Sequence, residues 1–354
     1  MLKQFKLTNQ APYLILAGMT IFIIFAFFKG NLLVSKSEKE LSQEQITTEA
    51  KAQQYTLKEI DVKTGELRWK LTAKGGETQE HLQSALIKDI EAKVYKNNEV
   101  VFELQAPFAK ADASTKEIFL FGNVLVKNND KRLLLMSSQI ALGMNASIEA
   151  QKGFDLELIN TATIKGETAS INEDQTQIIV HDLSEAVFKD ISLSGNEVTI
   201  IKDKNGSLQN VEIKNGGKII LTNQDNDNLS ANTINWKQNG EIEATNNVIF
   251  ISKDKVFKSN YLLLKQDKTL YARDNVLITH HNTKCYGNSL TYDNKSLITI
   301  SGKPKAIQEG KQITADKIVY DLTTGKVQAI GNVKTSIEHS VERLADRIVF
   351  VPIR

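Results

Sequence analysis

A chain of 354 residues, 41% hydrophobic and 24% charged, carries enough apolar surface for a sizeable core, which excludes disorder as its resting state. Its 44 basic and 42 acidic residues are interspersed in mixed sign, which excludes the basic stripe that binding to nucleic-acid phosphates requires. The single cysteine, Cys285, excludes an internal disulfide framework and any cysteine-rich metal site, while four prolines beside abundant Asn, Thr, Ile and Val favour strands and turns.

Residues 1–10 form a short tail with Lys3 and Lys6, followed by "APYLILAGMTIFIIFAFF" from Ala11 to Phe28 without a charge. As a helix this run is about 27 Å long, close to the roughly 30 Å hydrocarbon core of a bilayer, so it is expected to span a membrane. "FKGNLLVSKSEKE" after it has no Ala-x-Ala pattern and no cysteine for lipidation, which argues for an uncleaved anchor over a signal peptide. The lysines of the tail place it inside by the positive-inside rule, against Lys29 and Lys36 beyond the span. The expected location is the inner membrane, crossed once, with the bulk of the chain outside the cytoplasm, in a bacterial cell the periplasm. Residues 29–54 are rich in charge and glutamine and read as a linker, and the folded part is expected from about Tyr55.

From there the chain repeats. Small residues followed three positions later by an apolar one occur at Ala231, Ser259, Gly287 and Ala315, at intervals of 28 residues, with Ala345 following after 30. Looser copies begin at Ala73, Ala106, Ser137, Gly166 and Gly195, so about ten units fill 55–354. A second segment recurs beside the first, as "EIFLFGNVLV" (117–126), "EIEATNNVIF" (241–250), "TLYARDNVLI" (269–278) and "KVQAIGNVKT" (326–335). In these, one parity is apolar (Ile118, Leu120, Val124, Val126; Ile242, Val248, Phe250; Val276, Ile278; Val333) and the other carries Glu117, Asn123, Glu241, Glu243, Asn247 and Arg273. A period of two with one apolar face is the pattern of a half-buried antiparallel strand. "LTTGK", "KQNGE", "KQDKT" and "DNKS" between them supply the Gly, Asn and Asp of tight turns.

One such unit cannot bury its apolar face alone, so stacking of copies is predicted to extend a common core along one axis. The fold class expected is all-β, an elongated pair of facing antiparallel sheets on the order of 50 to 100 Å long, behind one transmembrane helix. The outermost strands are expected at "YTLKEIDV" (55–62), with Tyr55, Leu57 and Ile60, and at "DRIVFVPIR" (346–354), with Ile348 and Phe350. Their unpaired backbone invites strand addition by another chain, over only part of the last strand because Pro352 lacks an N–H.

The anchor, "GELRWKLTA" (65–73), "NNEVVFELQAP" (97–107) and "TKEIFLFGNVLV" (115–126), in that order, resemble the LptC family of lipopolysaccharide export proteins, over 55–190. "ADKIVYDLTTGKVQAIGNV" and its copies resemble the OstA/LptA module, over 191–354. The resemblance implies an incomplete β-jellyroll, splayed along one edge, whose apolar interior holds the acyl chains of lipopolysaccharide. It also implies as partners the inner-membrane ABC transporter subunits, and a periplasmic bridge or outer-membrane translocon joined by strand pairing, with self-association by the same route. Trp69 and Phe102 fall on the family's aromatic positions and join the apolar parity as candidate groove residues.

Nothing here suggests catalysis or a cofactor. His81, His181 and His339 are isolated from any nucleophile, Glu241 and Glu243 share a polar face, and "NGGK" (215–218) reads as a turn and not as a phosphate loop. His280, His281 and Cys285 lie close together, but neighbouring residues on a strand point to opposite faces, so no metal site is expected of them. The rival readings are a structural or adhesive repeat protein with a fully packed interior, and a solenoid enzyme acting on polysaccharide, which would need a lateral cluster of charged side chains that the units do not supply.

Overall fold

The computed structural model describes residues 32–36, 51–52 and 55–350, apart from 53–54, 62–63, 80–83, 113–116, 131, 143–146, 223–226 and 338–339 within or before that range. The predicted tail and membrane helix, His81, His339 and Pro352 lie outside the described residues. Among the described residues the regular structure is entirely strand, and no helix is long and apolar enough to cross a membrane. The chain divides into two compact units, one of residues up to 159 with 170–173, the other of 160–169 with 174 onward.

The first unit holds β1 (Leu32–Lys36), β2 (Lys51–Ala52), β3 (Tyr55–Ile60), β4 (Leu67–Gln79), β5 (Ser84–Lys96), β6 (Glu99–Asp112), β7 (Glu117–Asn128), β8 (Leu133–Leu142) and β9 (Ile148–Leu158). From β3 to β9 each strand pairs antiparallel with the next. Two expectations are corrected at its beginning. The segment 29–54, read as a linker, contributes β1 and β2. β1 pairs along β3 from Leu32↔Glu59 to Lys36↔Tyr55, so the strand carrying Tyr55, Leu57 and Ile60 is not a free edge. "LLVSK" is too short for its alternation to stand out beside the apolar run that precedes it.

β10 (Ala162–Ile171) is followed in the second unit by β11 (Gln177–Phe188), β12 (Ile191–Lys202), β13 (Leu208–Leu221), β14 (Asp227–Ala231), β15 (Thr233–Lys237), β16 (Ile242–Ser252), β17 (Lys255–Leu264) and β18 (Leu270–His280). Then come β19 (Thr283–Tyr292), β20 (Leu297–Ser301), β21 (Lys305–Gln308), β22 (Lys311–Thr314), β23 (Lys317–Asp321), β24 (Val327–Ile337) and β25 (Ser340–Phe350). Long strands alternate with pairs of short ones, and the reason lies in how each rung bends.

Midway along β16, β18 and β24 the ladder register breaks, between Thr245 and Val248, Arg273 and Val276, and Ile330 and Val333. The residues skipped are left-handed pairs, Asn246–Asn247, Asp274–Asn275 and Gly331–Asn332, and Gly302–Lys303 does the same between β20 and β21. Starting at 246, 274, 302 and 331, these pairs recur every 28, 28 and 29 residues, the period read from the sequence. Asn and Asp tolerate this conformation and Gly is indifferent to it, which is why the segments read Asn-Asn-Val, Asp-Asn-Val and Gly-Asn-Val.

Each bend divides its rung into halves that pair separately. In half-sheet I the order runs through β15, the first part of β16, the second part of β17, the first part of β18, the second part of β19, β20, β23 and the first part of β24. In half-sheet II it runs through β14, the second part of β16, the first part of β17, the second part of β18, the first part of β19, β21, β22 and the second part of β24. Both halves of a rung bury the same parity, as with Leu270 and Ala272 before the bend in β18 and Val276 and Ile278 after it.

The small residues that mark the repeat sit at the neighbouring bends. Ser259 pairs opposite Val248, Gly287 opposite Val276 and Ala345 opposite Val333. At Gly287 a Cβ would lie 2.4 Å from Ile300 Cγ2 and 2.9 Å from the Ser301 carbonyl oxygen, so the inside of the bend has no room for a branched side chain. Where serine takes the position its hydroxyl is used locally: Ser259 Oγ donates to the Tyr261 carbonyl at 2.8 Å, and Ser137 Oγ lies 2.9 to 3.0 Å from the carbonyls of Gln139, Gln151 and Gly153.

Turns at the rung ends are closed by aspartates. Asp293 Oδ1 accepts from the amides of Lys295, Ser296 and Leu297 at 2.9, 3.1 and 3.0 Å. Burial is the largest single influence and disfavours its charge, but the three amides and Lys295 together outweigh it and hold the carboxyl below the ordinary value of 3.8.

Gly287→Val is expected to lower stability by about 1–3 kcal/mol through overpacking, seen as a lower urea midpoint at unchanged slope, whereas Asn275→Gly, at a φ of 58°, should remain near wild type. A folded-state pKa below the unfolded one means that Asp293 stabilises above pH 3.8 and stops doing so as pH falls through its folded value. The difference in urea midpoint between wild type and Asp293→Asn should therefore be largest near neutrality and shrink toward pH 3.

Candidate functional site

Because each hairpin turn joins rungs within one half-sheet, the two half-sheets of the second unit are continuous along the bends and unjoined by backbone along the opposite margin. What meets there are side chains at strand ends. Phe188, ending β11, and Trp236 on β15 pack edge to face with ring centroids 5.3 Å apart. Phe257 near the start of β17 and Tyr292 at the end of β19 lie 6.3 Å apart. His280 at the end of β18 and Tyr320 on β23 lie at 5.7 Å, with Nδ1 and the hydroxyl oxygen 2.6 Å apart. Half-sheet II continues back from β14 through the second part of β13 and the first part of β12 to the second part of β11, so in each pair the first residue belongs to half-sheet II and the second to half-sheet I, and among the described residues these three contacts bridge the margin.

At the first of these contacts is a cleft of about 460 Å³. Its apolar wall includes Phe188, Ile191, Leu221, Trp236, Ile242 and Leu264, and Lys189, Lys265 and Lys268 stand around it with Asp190. Apolar side chains and lysines in one lining suit a molecule with a hydrocarbon part and an anionic part, with the Lys265 ammonium resting over the Tyr271 ring beside it.

The expected groove residues divide between the two units. Trp69, Phe102, Ile118, Leu120, Val124 and Val126 are buried in the interior of the first; Ile242, Val248, Phe250, Val276, Ile278 and Val333 are buried in that of the second, where Ile242 also reaches the cleft. Of the expected edge residues, Leu57 and Ile60 are half-buried under β1, while Ile348 and Phe350 lie in register with Ala329 and Val327 of β24. Phe188, Ile191, Leu221 and Trp236 escaped the reading from sequence because they stand at strand ends, where alternation gives no signal. Glu241 and Glu243 do not form a catalytic pair: the first pairs with Lys237 at 3.7 Å, and the second hydrogen-bonds Tyr261.

The two histidines require a correction. They do not point apart, since His281 leaves the strand with φ at 48° and its ring centroid lies 4.1 Å from that of His280, the two rings tilted by 45°. Both Nε2 atoms lie 3.0 Å from the same Asp254 oxygen, Oδ2. His280 is buried, which pushes its imidazole below the ordinary 6.5 despite the opposing pull of Asp254. As a neutral ring it donates from Nε2 to Asp254 and accepts at Nδ1 from the Tyr320 hydroxyl, which also bonds Thr283. Burial holds that hydroxyl protonated by raising its pKa. Cys285 belongs to the core instead, and burial pushes its thiol up to about 12.

Two family models match the chain. Residues 13–152 match "Lipopolysaccharide-assembly, LptC-related", and residues 217–326 match "LptA/(LptD N-terminal domain) LPS transport protein". The chain is an LptC-like protein with an LptA-like C-terminal part. The LptC-like match runs through β8 into β9, and the LptA-like match holds all the bends from Asn246 to Gly302. Among solved structures, LptH of Pseudomonas aeruginosa, described as the LptA-homologous periplasmic component of a lipopolysaccharide transport device, is 16% identical, covering 54% of this chain and 95% of its own at a TM-score of 0.15. No curated protein matches.

Tyr320→Phe leaves the buried His280 Nδ1 without its donor, and a loss of about 1–3 kcal/mol is expected in urea unfolding, against a few tenths for Tyr271→Phe on the exposed face.

Proposed function

We propose that the protein is a membrane-anchored component of lipopolysaccharide export, which accepts lipopolysaccharide from an inner-membrane ABC transporter and passes it along an apolar interior toward the outer membrane. The observation that carries this reading is the unjoined margin: the apolar parity runs from rung to rung between two half-sheets that only side chains hold together on one side. Parting the Phe188–Trp236 and Phe257–Tyr292 contacts would expose a strip of Val, Ile, Leu and Phe to acyl chains without breaking a ladder hydrogen bond. Each methylene so covered is worth about 0.8 kcal/mol, and no specific polar site is needed along the strip. The two family matches support lipopolysaccharide as the cargo, and the lysines around the cleft suit its anionic part.

In this reading residues 11–28 are the anchor, with 1–10 inside and the rest in the periplasm, as an incomplete β-jellyroll of an LptC-like region (55–190) and an LptA-like region (191–354). β25, which pairs with β24 along one side, is the edge for strand addition by a bridge protein, an outer-membrane translocon or a second copy. The same three contacts favour a second reading, a structural repeat protein whose interior stays packed: Phe257 and His280 are already almost fully covered.

Photo-crosslinking in cells distinguishes them, with a light-activated residue replacing Trp236 at the cleft or Lys258 on the exposed parity. A lipopolysaccharide adduct at 236, absent at 258 and lost when the transporter cannot hydrolyse ATP, is the expected outcome. A folded, anchored protein giving no adduct at 236 would leave the packed repeat as the function.

A further inference from the structure

We propose that Asp254, His280 and His281 form a binding site for a divalent transition metal, with zinc the best fit. Asp254 lies in the turn between β16 and β17, His280 ends β18, and His281 opens the turn before β19, so two neighbouring turns on the rim of half-sheet II contribute the ligands. The three donor atoms, Oδ2 of Asp254 and Nε2 of both histidines, lie within 4.8 Å of one another. Each Nε2 is 3.0 Å from Oδ2, close to the roughly 3.3 Å edge of a tetrahedron with metal–ligand bonds of about 2.0–2.1 Å. Two imidazoles and a carboxylate suit zinc better than calcium or magnesium, and leave one position for water.

The surroundings favour a ligand role. Tyr320 holds the His280 ring from behind at 2.6 Å, as a second partner orients a metal-bound imidazole. With a metal bound, His280 would carry its proton on Nδ1 instead of Nε2 and donate it to the Tyr320 oxygen, while the Tyr320 hydroxyl hydrogen would turn to the Thr283 hydroxyl, so the lone pair at Nε2 would face the ion without net loss of a proton from this pair. Lys255 pairs with the other carboxylate oxygen, Oδ1, at 3.4 Å, and leaves Oδ2 to the histidines. Histidine 281 and Asp254 are exposed, with side-chain exposures of 69% and 43%, so an ion has a path in from solvent.

The site also has a position that a random surface cluster would lack. His280 is half of one of the three contacts that close the unjoined margin, and a metal on its Nε2 would fix the ring toward Tyr320 on the facing half-sheet. The ion would thus fasten that margin at one point. This inference stands whether or not lipopolysaccharide is the cargo.

The test is zinc titration of the full chain in detergent, prepared without added histidines, followed by calorimetry in competition with a chelator and by the visible spectrum of the cobalt form. Wild type is expected to bind one zinc, to give the intense visible bands of tetrahedral cobalt, and to melt at higher temperature with the metal. His281→Ala, which removes an exposed ring and should fold normally, and Asp254→Asn should each weaken zinc at least tenfold and abolish both the bands and the thermal shift. Absence of stoichiometric binding in wild type, or an affinity unchanged in both variants, would overturn the site.

Discussion

A strand with one apolar face must have that face covered, and here the cover is supplied by folding every rung on itself. The left-handed pairs at Asn246–Asn247, Asp274–Asn275, Gly302–Lys303 and Gly331–Asn332 make this geometrically possible, since two successive residues of that hand turn the strand while preserving which parity faces inward. Everything else follows from the bend. It splits the ladder into two half-sheets, demands a small residue opposite, and leaves one margin without backbone connection. The recurrence of a small residue here, with Gly287 as the case where the close approach is seen directly, is thus a steric requirement of the inner side of the bend.

That logic also explains what could be read from the sequence. The apolar parity, the 28-residue period and the turn residues are local signals, and the strands fall where these place them. The meaning of the small residue was hidden, because the atom it avoids, Ile300 Cγ2 in the case of Gly287, lies on another rung. Alternation applied to His280 and His281 gave the wrong geometry because the strand ends between them, and a left-handed φ at His281 folds its ring back. Tyr320 is forty positions from His280 and on the other half-sheet, so no spacing rule connects them. β1 was missed for the opposite reason: five residues beside a long apolar run offer too short a pattern to separate.

The unjoined margin concentrates the chemistry of the second unit. Elsewhere among its described residues the core is mainly aliphatic, with Phe250 and the Ser259 hydroxyl as exceptions. Along this margin are the aromatic rings, the cleft with its lysines, and a buried imidazole hydrogen-bonded across the gap. Aromatic contacts are separable at modest cost, while a hydrogen bond between His280 and Tyr320 in a dry setting resists separation more strongly. The margin therefore has points of unequal strength, and a proposed conduit would open at the cleft before it opened at His280.

Pairing in the second unit connects each rung only to the rungs beside it, and each period contributes one outgoing and one returning rung. Removing or duplicating one whole period preserves strand direction, inward parity and the alternation of bends with small residues. Removing a single residue from within a rung, away from the turns, inverts the parity of the residues beyond it up to the next turn. The length of this stack of rungs is accordingly counted in whole units, while the turns take up small differences such as the spacings of 28, 28 and 29 residues between bends.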